Sequence, residues 1–415
     1  MDDSVAERLN ILLTTDAGDT TGIGGHLYSF RALVEALAPL ADCTVAVFGC
    51  AQSPPLADLP CPTHRVQFGP GRLRRRELAR FSQIVEQVKP DVIHAFDPIA
   101  GAFARAAARR TGCGLLLTKC GGPDPAARAY PWGYFPRVPR LIVYSRENED
   151  YFRSRRAFRG TQIRRIPNRI GAVAADADKV AALRARLDPA KPVLLRIGRI
   201  SPSYFRTAEM SIRLAERLAS DGVPVQLVFL GAVQNAQTEQ AIRERLGPHG
   251  AVISDPDLTG QASAVLDAGD LVVGTGRGLM EAAARGRPLL VPARSGRLPA
   301  LVNERNWQTL FDGNFSERSE AAGWDEERNY ANIRQALTDP DARRRLSAFS
   351  RTLYEDQFAM ERVMDLYRSV YEDARAPERG GRIDQAKHWL WMLWRAQARP
   401  LAASADSAAG GKETP

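Results

Sequence analysis

A rhythm of short apolar runs separated by helical stretches restricts the fold of this chain more than any other feature. Leu9–Thr15 (LNILLTT) is followed by a glycine-rich segment at Asp16–His26 and by a helical pattern at Leu27–Leu40. Short, uniformly apolar runs are typical of strands buried on both faces of a parallel sheet, and this order opens a Rossmann-like domain. Further strands of this half are predicted at Cys43–Phe48, Val92–Ala95, Leu115–Thr118 and Leu141–Tyr144.

The same rhythm restarts beyond Ile170. Strands are predicted at Val193–Ile197, Val225–Leu230, Ala251–Ser254, Leu271–Val273 and Pro288–Val291, with helices between them. The chain has 415 residues, whereas a single hydrophobic core stops growing at roughly 250 to 300. We therefore predict an α/β protein of two doubly wound, Rossmann-like domains, 1–170 and 171–358, that face a central cleft.

Composition and charge narrow the class of protein. Hydrophobic residues make up 44% and charged residues 25%, which is ordinary for a globular chain. No secretory signal and no membrane span is expected. The five cysteines are odd in number and never spaced CxxC, so we expect reduced thiols in a cytoplasmic protein and no metal site.

The formal charge of +9 calls for an acidic partner: nucleic acid, anionic lipid or a phosphorylated ligand. The arginine clusters, such as 72–76 and 343–345, are typical of solvated helix faces. No nucleic-acid-binding signature accompanies the charge, so no nucleic-acid partner is expected.

Five motifs together resemble one known family. They are TGIGGH after the first strand, PDVIHAFDP at 90–98, IPNRI at 166–170, RIGRIS at 196–201 and GRGLMEAAARGRPLLVP at 276–292. In this order they resemble the GT-B glycosyltransferases, in particular the retaining, nucleotide-sugar-dependent family 4, over roughly residues 8 to 375. The resemblance implies a GT-B fold, in which a helix at 359–378 crosses back to the N-terminal domain.

The resemblance also implies a donor site in the second half. Arg199 and Arg206 would stabilise the charge of a leaving diphosphate, as planar bidentate donors do without a metal, although both could be solvated side chains. Glu281 would bind the nucleotide ribose, or it could be a glutamate favoured near a helix N-terminus. These three are the predicted catalytic residues. The donor-binding set is Gly198, Arg199, Arg206, Gly231, Gly274, Thr275, Gly276, Arg277, Gly278, Leu279 and Glu281.

Candidates for the acceptor or sugar side lie in the first half. Gly24 and Gly25 would allow close approach of a ligand, and Asp97 is a hydroxyl-binding or orienting group. Lys119 is either a phosphate contact or a surface lysine, and His94 is a satisfied core histidine. The full predicted set is Gly24, Gly25, His26, Asp97, Lys119, Gly121 and Glu147.

Two positions depart from the family pattern. Val273 stands where the family has a second glutamate, and Lys119-Cys120 stand where it often has a histidine. We therefore keep two hypotheses open. The chain is a metal-independent retaining glycosyltransferase without a cofactor that acts on a glycan or lipid-linked glycan, or it is a non-catalytic partner that binds a nucleotide sugar or glycan. A nicotinamide-dependent oxidoreductase is disfavoured because the GxGxxG fingerprint is incomplete, and Asp255–Asp257 is interpreted as a turn rather than a metal motif.

A last helix, at 380–400, combines tryptophans with basic residues. Trp389, Trp391 and Trp394 are flanked by Lys387 and by two arginines, Arg395 and Arg399. This pattern is typical of a helix in a membrane interface, and equally of a helix packed on its own protein. In the first case the protein would be peripheral on the inner face of the cytoplasmic membrane. The tail at 401–415 is predicted to be disordered.

Overall fold

In the computed structural model the chain forms two compact α/β units. The described residues are 8–18, 24–49, 52–68, 74–125, 129–247, 250–294, 296–377 and 381–397. The first unit comprises the described residues within Met1–Tyr144, Asn148–Ile166 and Met364–Pro415, and the second those within Ser145–Glu147 and Pro167–Val363. The tail at 401–415, Arg399 and the middle of the glycine-rich loop at 19–23 lie outside the described residues.

The first unit contains a parallel sheet of seven strands in the order β3-β2-β1-β4-β5-β6-β7. Its strands are β1 (Asn10–Asp16), β2 (Asp42–Phe48), β3 (Thr63–Val66), β4 (Val92–Ala95), β5 (Gly114–Lys119), β6 (Arg140–Val143) and β7 (Gln162–Arg165). Its first four helices are α1 (Gly25–Leu37), α2 (Arg75–Val88), α3 (Pro98–Thr111) and α4 (Arg146–Ser154), of which the first two residues of α4 group with the second unit. The core packs apolar strand residues against α2 and α3.

Helix α3 shows how local sequence sets an element. The Asp97 side chain caps its N-terminus, and Pro98 occupies the first helical position, where no amide hydrogen is needed. Gly112 ends the helix with φ of 78°, a left-handed conformation that glycine adopts without strain. The chain therefore enters α3 directly from the carboxyl end of β4.

The second unit contains a six-stranded sheet in the order β10-β9-β8-β11-β12-β13, in which only β13 is antiparallel. Its strands are β8 (Val193–Ile197), β9 (Gln226–Leu230), β10 (Gly250–Ile253), β11 (Leu271–Val273), β12 (Leu289–Val291) and β13 (Ala300–Leu301). Its helices are α5 (Ala177–Arg184), α6 (Phe205–Ser220), α7 (Ala236–Leu246), α8 (Pro256–Thr259), α9 (Arg277–Ala284), α10 (Trp307–Asp312), α11 (Glu326–Thr338) and α12 (Pro340–Leu353). Both faces of the sheet are covered by apolar clusters.

Strand order locates the ligand-binding edge of each unit. In open α/β sheets, ligands bind at the carboxyl ends of strands where the order reverses direction. The reversal lies between β1 and β4 in the first unit and between β8 and β11 in the second. The residues that follow these four strands are therefore the candidates for function.

The end of the chain returns to the first unit as two helices, α13 (Met364–Ala374) and α14 (Arg382–Gln397). The sequence predicts one helix over Met360–Ala374, but Met360–Val363 forms a 3-10 turn before α13. The sequence also predicts Val363, Leu366, Tyr367 and Val370 on one apolar face, and this prediction is wrong at Leu366, which is 53% exposed. The buried residues follow the helical spacing 367, 370, 371 and 374 instead, and Leu366 lies beside that face.

Candidate functional site

The first component of the second-unit site is a tight corner after β8. Gly198 has φ of 143°, which favours glycine, and its amide donates to the Leu230 carbonyl at 3.1 Å. Gly231 lies so close that a Cβ there would meet the Gly198 carbonyl oxygen at 2.1 Å. Both predicted glycines are thus required by backbone contact, and they bring the ends of β8 and β9 together.

Arg196 lies within the predicted strand Val193–Ile197, and its side chain supports this corner. It is 2% exposed, and its Nη1 donates to the carbonyls of Gly198 at 2.7 Å and Arg199 at 3.2 Å. Burial lowers the pKa of the Arg196 guanidinium to about 10. The Gly198 carbonyl and the Arg199 amide belong to one trans peptide group, which holds its C=O and N–H on opposite sides. Because the carbonyl faces Arg196, the Arg199 amide points away from the buried guanidinium. That amide makes no hydrogen bond to any described residue.

Two predicted phosphate-binding arginines follow the corner. Arg199 is exposed, and its Nη2 donates to the Tyr204 hydroxyl at 3.2 Å. Arg206, on the first turn of α6, donates to the carbonyls of Ala293 at 3.2 Å, Arg294 at 3.3 Å and Glu317 at 3.3 Å. The structure therefore fixes the direction of Arg206 through backbone carbonyls, an arrangement that sequence alone did not indicate.

The GTGRG loop, residues 274–278, joins β11 to α9 on the other side of the reversal in strand order. Gly276 has φ of 53°, and its amide donates to the Phe315 carbonyl at 3.2 Å. Gly274 and Gly278 lie against the Ile197 side chain, where added Cβ atoms would stand 3.2 and 3.4 Å from its Cγ2. The loop leads into the N-terminus of α9, where the Leu279 amide donates to the Gly276 carbonyl at 3.2 Å. A glycine-rich loop that enters a helix N-terminus is an arrangement that binds anions.

A segment at 313–319 that carries no recognised motif braces this loop. Phe315 supplies the carbonyl for Gly276, and Glu317 accepts from the Thr207 hydroxyl at 2.7 Å. Asn314 and Phe315 both adopt left-handed backbone conformations, with φ of 57° and 48°. Such conformations are costly for residues other than glycine, and they persist where the surroundings enforce them.

Glu281 and Arg277 form an ion pair on α9. The Arg277 Nε donates to the Glu281 Oε1 at 2.7 Å, and the two side chains are only 15% and 13% exposed. The sequence predicts Glu281 on the first turn of the helix after the GTGRG loop, but α9 begins at Arg277, so Glu281 lies on the second turn. Burial raises the pKa of Glu281, and the Arg277 charge acts in the opposite direction. The Oε2 atom accepts no hydrogen bond from the described residues.

Val273, at the position where the family has a second glutamate, is fully buried. It is paired in the sheet with Arg196 on β8 and with Leu290 on β12. An apolar side chain suits this position, because it packs within the cluster on one face of the sheet.

In the first unit, Asp97 ties the ends of β1 and β4 together. Its Oδ1 accepts from the amides of Ile99 at 2.9 Å and Ala100 at 2.8 Å. Its Oδ2 accepts from the Asp16 amide at 2.7 Å and the Thr15 hydroxyl at 3.3 Å. Burial raises the pKa of Asp97, while these amides act against the rise. Of its two predicted roles, the geometry favours orienting the backbone.

Lys119 is held by a turn rather than exposed as a free cation. Its Nζ donates to the carbonyls of Gly121 at 2.7 Å and Pro123 at 3.1 Å, and to the Asn148 Oδ1 at 3.1 Å. Gly121 has φ of 74° within this turn. Asn148 is fully buried.

The remaining first-half candidates are placed separately. Gly24 precedes α1, and Gly25 and His26 are exposed on its first turn. Glu147 groups with the second unit, where both of its oxygens accept from the Arg318 Nε, at 2.9 and 3.0 Å. His94 is the expected core histidine: it is fully buried between the Tyr371 and Thr118 hydroxyls, at 2.8 and 2.7 Å. Asp255 caps the short helix α8, in keeping with a turn.

Comparisons with known proteins agree with this architecture. Residues 24–169 match the family model described as a glycosyl transferase 4-like domain. At the level of sequence the chain matches no curated protein.

Three solved structures are similar in fold. HepE from Anabaena, solved with UDP and glucose, is 16% identical with a TM-score of 0.62, and the match covers 88% of this chain and 99% of HepE. Sucrose-phosphate synthase from Thermosynechococcus elongatus is 19% identical with a TM-score of 0.58, covering 88% and 100%. The lipopolysaccharide outer core galactosyltransferase WaaB is 14% identical with a TM-score of 0.50, covering 88% and 99%. The predicted GT-B fold is confirmed, and the match over residues 24–169 confirms the prediction of a glycosyltransferase domain.

Proposed function

We propose that this GT-B glycosyltransferase, which carries a glycosyl transferase 4-like domain at residues 24–169, transfers a sugar from a nucleoside-diphosphate sugar with retention of configuration and without a metal. One observation carries the proposal. The anion-binding start of α9, the Arg199 amide and a carboxylate on α9 all follow β8 and β11, on the two sides of the strand-order reversal.

The donor diphosphate is assigned to the amides and arginines of this edge. The first-turn amides of α9 and the cations Arg199 and Arg206 supply positive charge where the leaving group gains negative charge. Glu281 accepts hydrogen bonds from the ribose hydroxyls through Oε2, while Arg277 holds Oε1. HepE was solved with UDP, so uracil is the first base to test.

The transfer step needs no protein base. The bond between the anomeric carbon and the diphosphate oxygen breaks, and an acceptor hydroxyl oxygen bonds to that carbon on the same face. The departing phosphate oxygen takes the hydroxyl proton, so atoms and charge balance without a cofactor. The role of the arginines and amides is then to stabilise the diphosphate as it leaves.

For the acceptor we propose a glycan or lipid-linked glycan. The fold likeness to WaaB, a lipopolysaccharide outer core galactosyltransferase, is the support for this class. Gly24, Gly25 and His26, at the start of α1, remain the predicted acceptor-side residues.

A second candidate is a protein that binds a nucleotide sugar without transferring it. Two observations favour it: Val273 is buried inside the sheet, and Lys119 is held by backbone carbonyls. Neither position then supplies the group that the family uses beside the donor sugar.

Release of nucleoside diphosphate separates the two candidates. The full chain is incubated with UDP-, GDP-, ADP- and CDP-sugars and cell-derived glycans, with and without EDTA. The proposal predicts acceptor-dependent release of one diphosphate, unaffected by EDTA, and a product with the donor's anomeric configuration by NMR. Arg206→Met should reduce turnover about 10- to 1000-fold, whereas Arg213→Met, at an exposed arginine of the same helix, should not. Saturable nucleotide binding with no release would establish the second candidate.

A further inference from the structure

The apolar residues of α14 divide between two opposite faces. On the inner face, Met392 and His388 are 0% and 1% exposed, and Trp389 packs edge-on against Phe103 with ring centroids 5.2 Å apart. The His388 Nε2 lies 2.7 Å from the Pro98 carbonyl. Part of the tryptophan pattern is therefore explained by packing on the first unit.

The outer face of α14 carries a second stripe at the spacing i, i+4, i+7 and i+11. Its members are Ile383, Lys387, Leu390 and Trp394. Ile383 is 77% exposed and Leu390 57% exposed. The stripe is opposite the buried residues on the helical wheel, so packing on the first unit does not explain it.

A loop extends this stripe with two more aromatic residues. Tyr130 is 42% exposed and Trp132 is 61% exposed. The Tyr130 hydroxyl donates to the Lys387 carbonyl at 3.1 Å, and the Trp132 ring lies 6.0 Å from that of Trp394. Of the six large hydrophobic side chains that are exposed among the described residues, four belong to this one surface. We call it the aromatic ridge: Tyr130, Trp132, Ile383, Lys387, Leu390 and Trp394.

The exposed charges on the two segments that carry the aromatic ridge have one sign. Arg382, Lys387 and Arg395 are the exposed charged residues of α14, and Arg137 is the charged residue of the loop 129–139. The acid in these segments, Asp384, is 8% exposed and accepts from the buried Arg105 at 2.7 Å. The surface therefore presents apolar and aromatic side chains among cations.

We propose that the aromatic ridge binds the surface of an anionic lipid membrane. Tryptophan and tyrosine prefer the boundary between headgroups and acyl chains, and neighbouring cations are attracted to anionic headgroups. A second copy of the chain suits the ridge less well. A two-fold dimer through this face would bring the same cations of both copies together without acids to pair them. This inference concerns a surface of the first unit and does not depend on the donor site.

Vesicle flotation of the full chain tests the proposal. Vesicles of phosphatidylcholine alone are compared with vesicles containing about 30% phosphatidylglycerol. We expect binding to the anionic vesicles, which weakens as NaCl rises from about 0.1 to about 0.5 M, because salt screens the cations. Trp132→Ser, Leu390→Ser and Lys387→Glu should each weaken binding by about tenfold or more.

Matched controls distinguish binding through the aromatic ridge from nonspecific hydrophobic or electrostatic adsorption to vesicles. Leu366→Ser changes an equally exposed leucine on α13, and Arg213→Glu makes an equal charge change on α6; both should bind vesicles like the wild type. The ridge variants should keep the wild-type melting temperature and nucleotide response. No binding to anionic vesicles, or equal loss in the controls, would overturn the proposal. A concentration-dependent dimer that light scattering detects, and that Leu390→Ser dissociates, would also overturn the proposal.

Discussion

Glu281→Gln isolates the contribution of one carboxylate charge to nucleotide binding. The wild-type Oε1 is held by Arg277, and Oε2 accepts no hydrogen bond from the described residues. Glutamine keeps the size and one acceptor oxygen but removes the charge. Hydrogen bonds to charged groups contribute about 1.5–3 kcal/mol each, so the dissociation constant of the preferred nucleoside diphosphate should rise about 10- to 150-fold.

The assay is isothermal titration of wild type and variant with the same nucleotide. Glu239→Gln on α7 is the control, because Glu239 also forms an i,i+4 pair with an arginine at 2.7 Å and lies outside the proposed site. An affinity of Glu281→Gln within about twofold of the wild type would refute the ribose assignment. A twofold change in the dissociation constant corresponds to less than about 0.5 kcal/mol, whereas a tenfold change corresponds to about 1.4 kcal/mol.

The pH dependence of binding gives the same assignment an independent check. Burial raises the pKa of Glu281, so its protonation begins at a higher pH than for an exposed glutamate. Nucleotide affinity should therefore fall as the pH is lowered through that raised pKa, and the fall should be absent in Glu281→Gln. The sign for folding is opposite: a raised carboxyl pKa contributes stability at low pH that is lost as the pH rises.

Three further predictions concern the fold and its corner. Gly231→Ala places a Cβ within 2.1 Å of the Gly198 carbonyl oxygen, so urea unfolding should show a loss of about 1–3 kcal/mol, and nucleotide binding should weaken; an unchanged midpoint would contradict the contact. Asp384→Asn leaves the fully buried Arg105 without its carboxylate and should lower the unfolding free energy by about 3–5 kcal/mol, whereas Asp341→Asn, at an exposed pair on α12, should change it by less than about 1 kcal/mol. Burial lowers the pKa of His94 to about 3 from 6.5, so its contribution to stability is complete above pH 6.5 and is lost as the pH falls. His94→Gln should show a shallower loss of stability between pH 6.5 and 3 in urea titrations, and a slope equal to that of the wild type would count against a neutral buried histidine.

Buried parallel strands were readable from sequence because both of their faces are apolar. LNILLTT, VIHA and VLLRI correspond to β1, β4 and β8 within one residue at each end. Strands β3 and β7 were missed, since they lie at the edges of the sheet and carry polar residues such as His64 and Gln162. Helices α10, α11 and α12 were also missed, because they lie beyond Val291, where the predicted alternation of strands and helices ends.

The glycines of the site were predictable, but the groups that support them were not. Gly198 and Gly276 stand in motifs, and Gly231 follows the predicted strand Val225–Leu230. Each occupies a position where a side chain or an ordinary backbone angle does not fit. Arg196 resembles any other residue of an apolar run until the folded corner turns two carbonyls toward it.

The same limit applies to the cations and the tryptophans. Lys119 could not be distinguished from a ligand contact before the turn at 121–123 was known. In α14 the residue types allowed either a membrane interface or packing on the protein, and the structure places Trp389 against the core and Trp394 beside the exposed Trp132. Pattern alone does not assign each tryptophan to a face when the helix uses both.

Hydrogen–deuterium exchange with and without a saturating nucleoside diphosphate tests the central claim most directly, because it reports where the nucleotide binds. The account predicts slower exchange in peptides that contain the GTGRG loop with the start of α9, 274–281, and the corner at 198–206. Peptides from α7 and α11 in the same unit should be unchanged. Saturable binding that protects only other parts of the chain, or no binding of any nucleoside diphosphate at millimolar concentration, would contradict it.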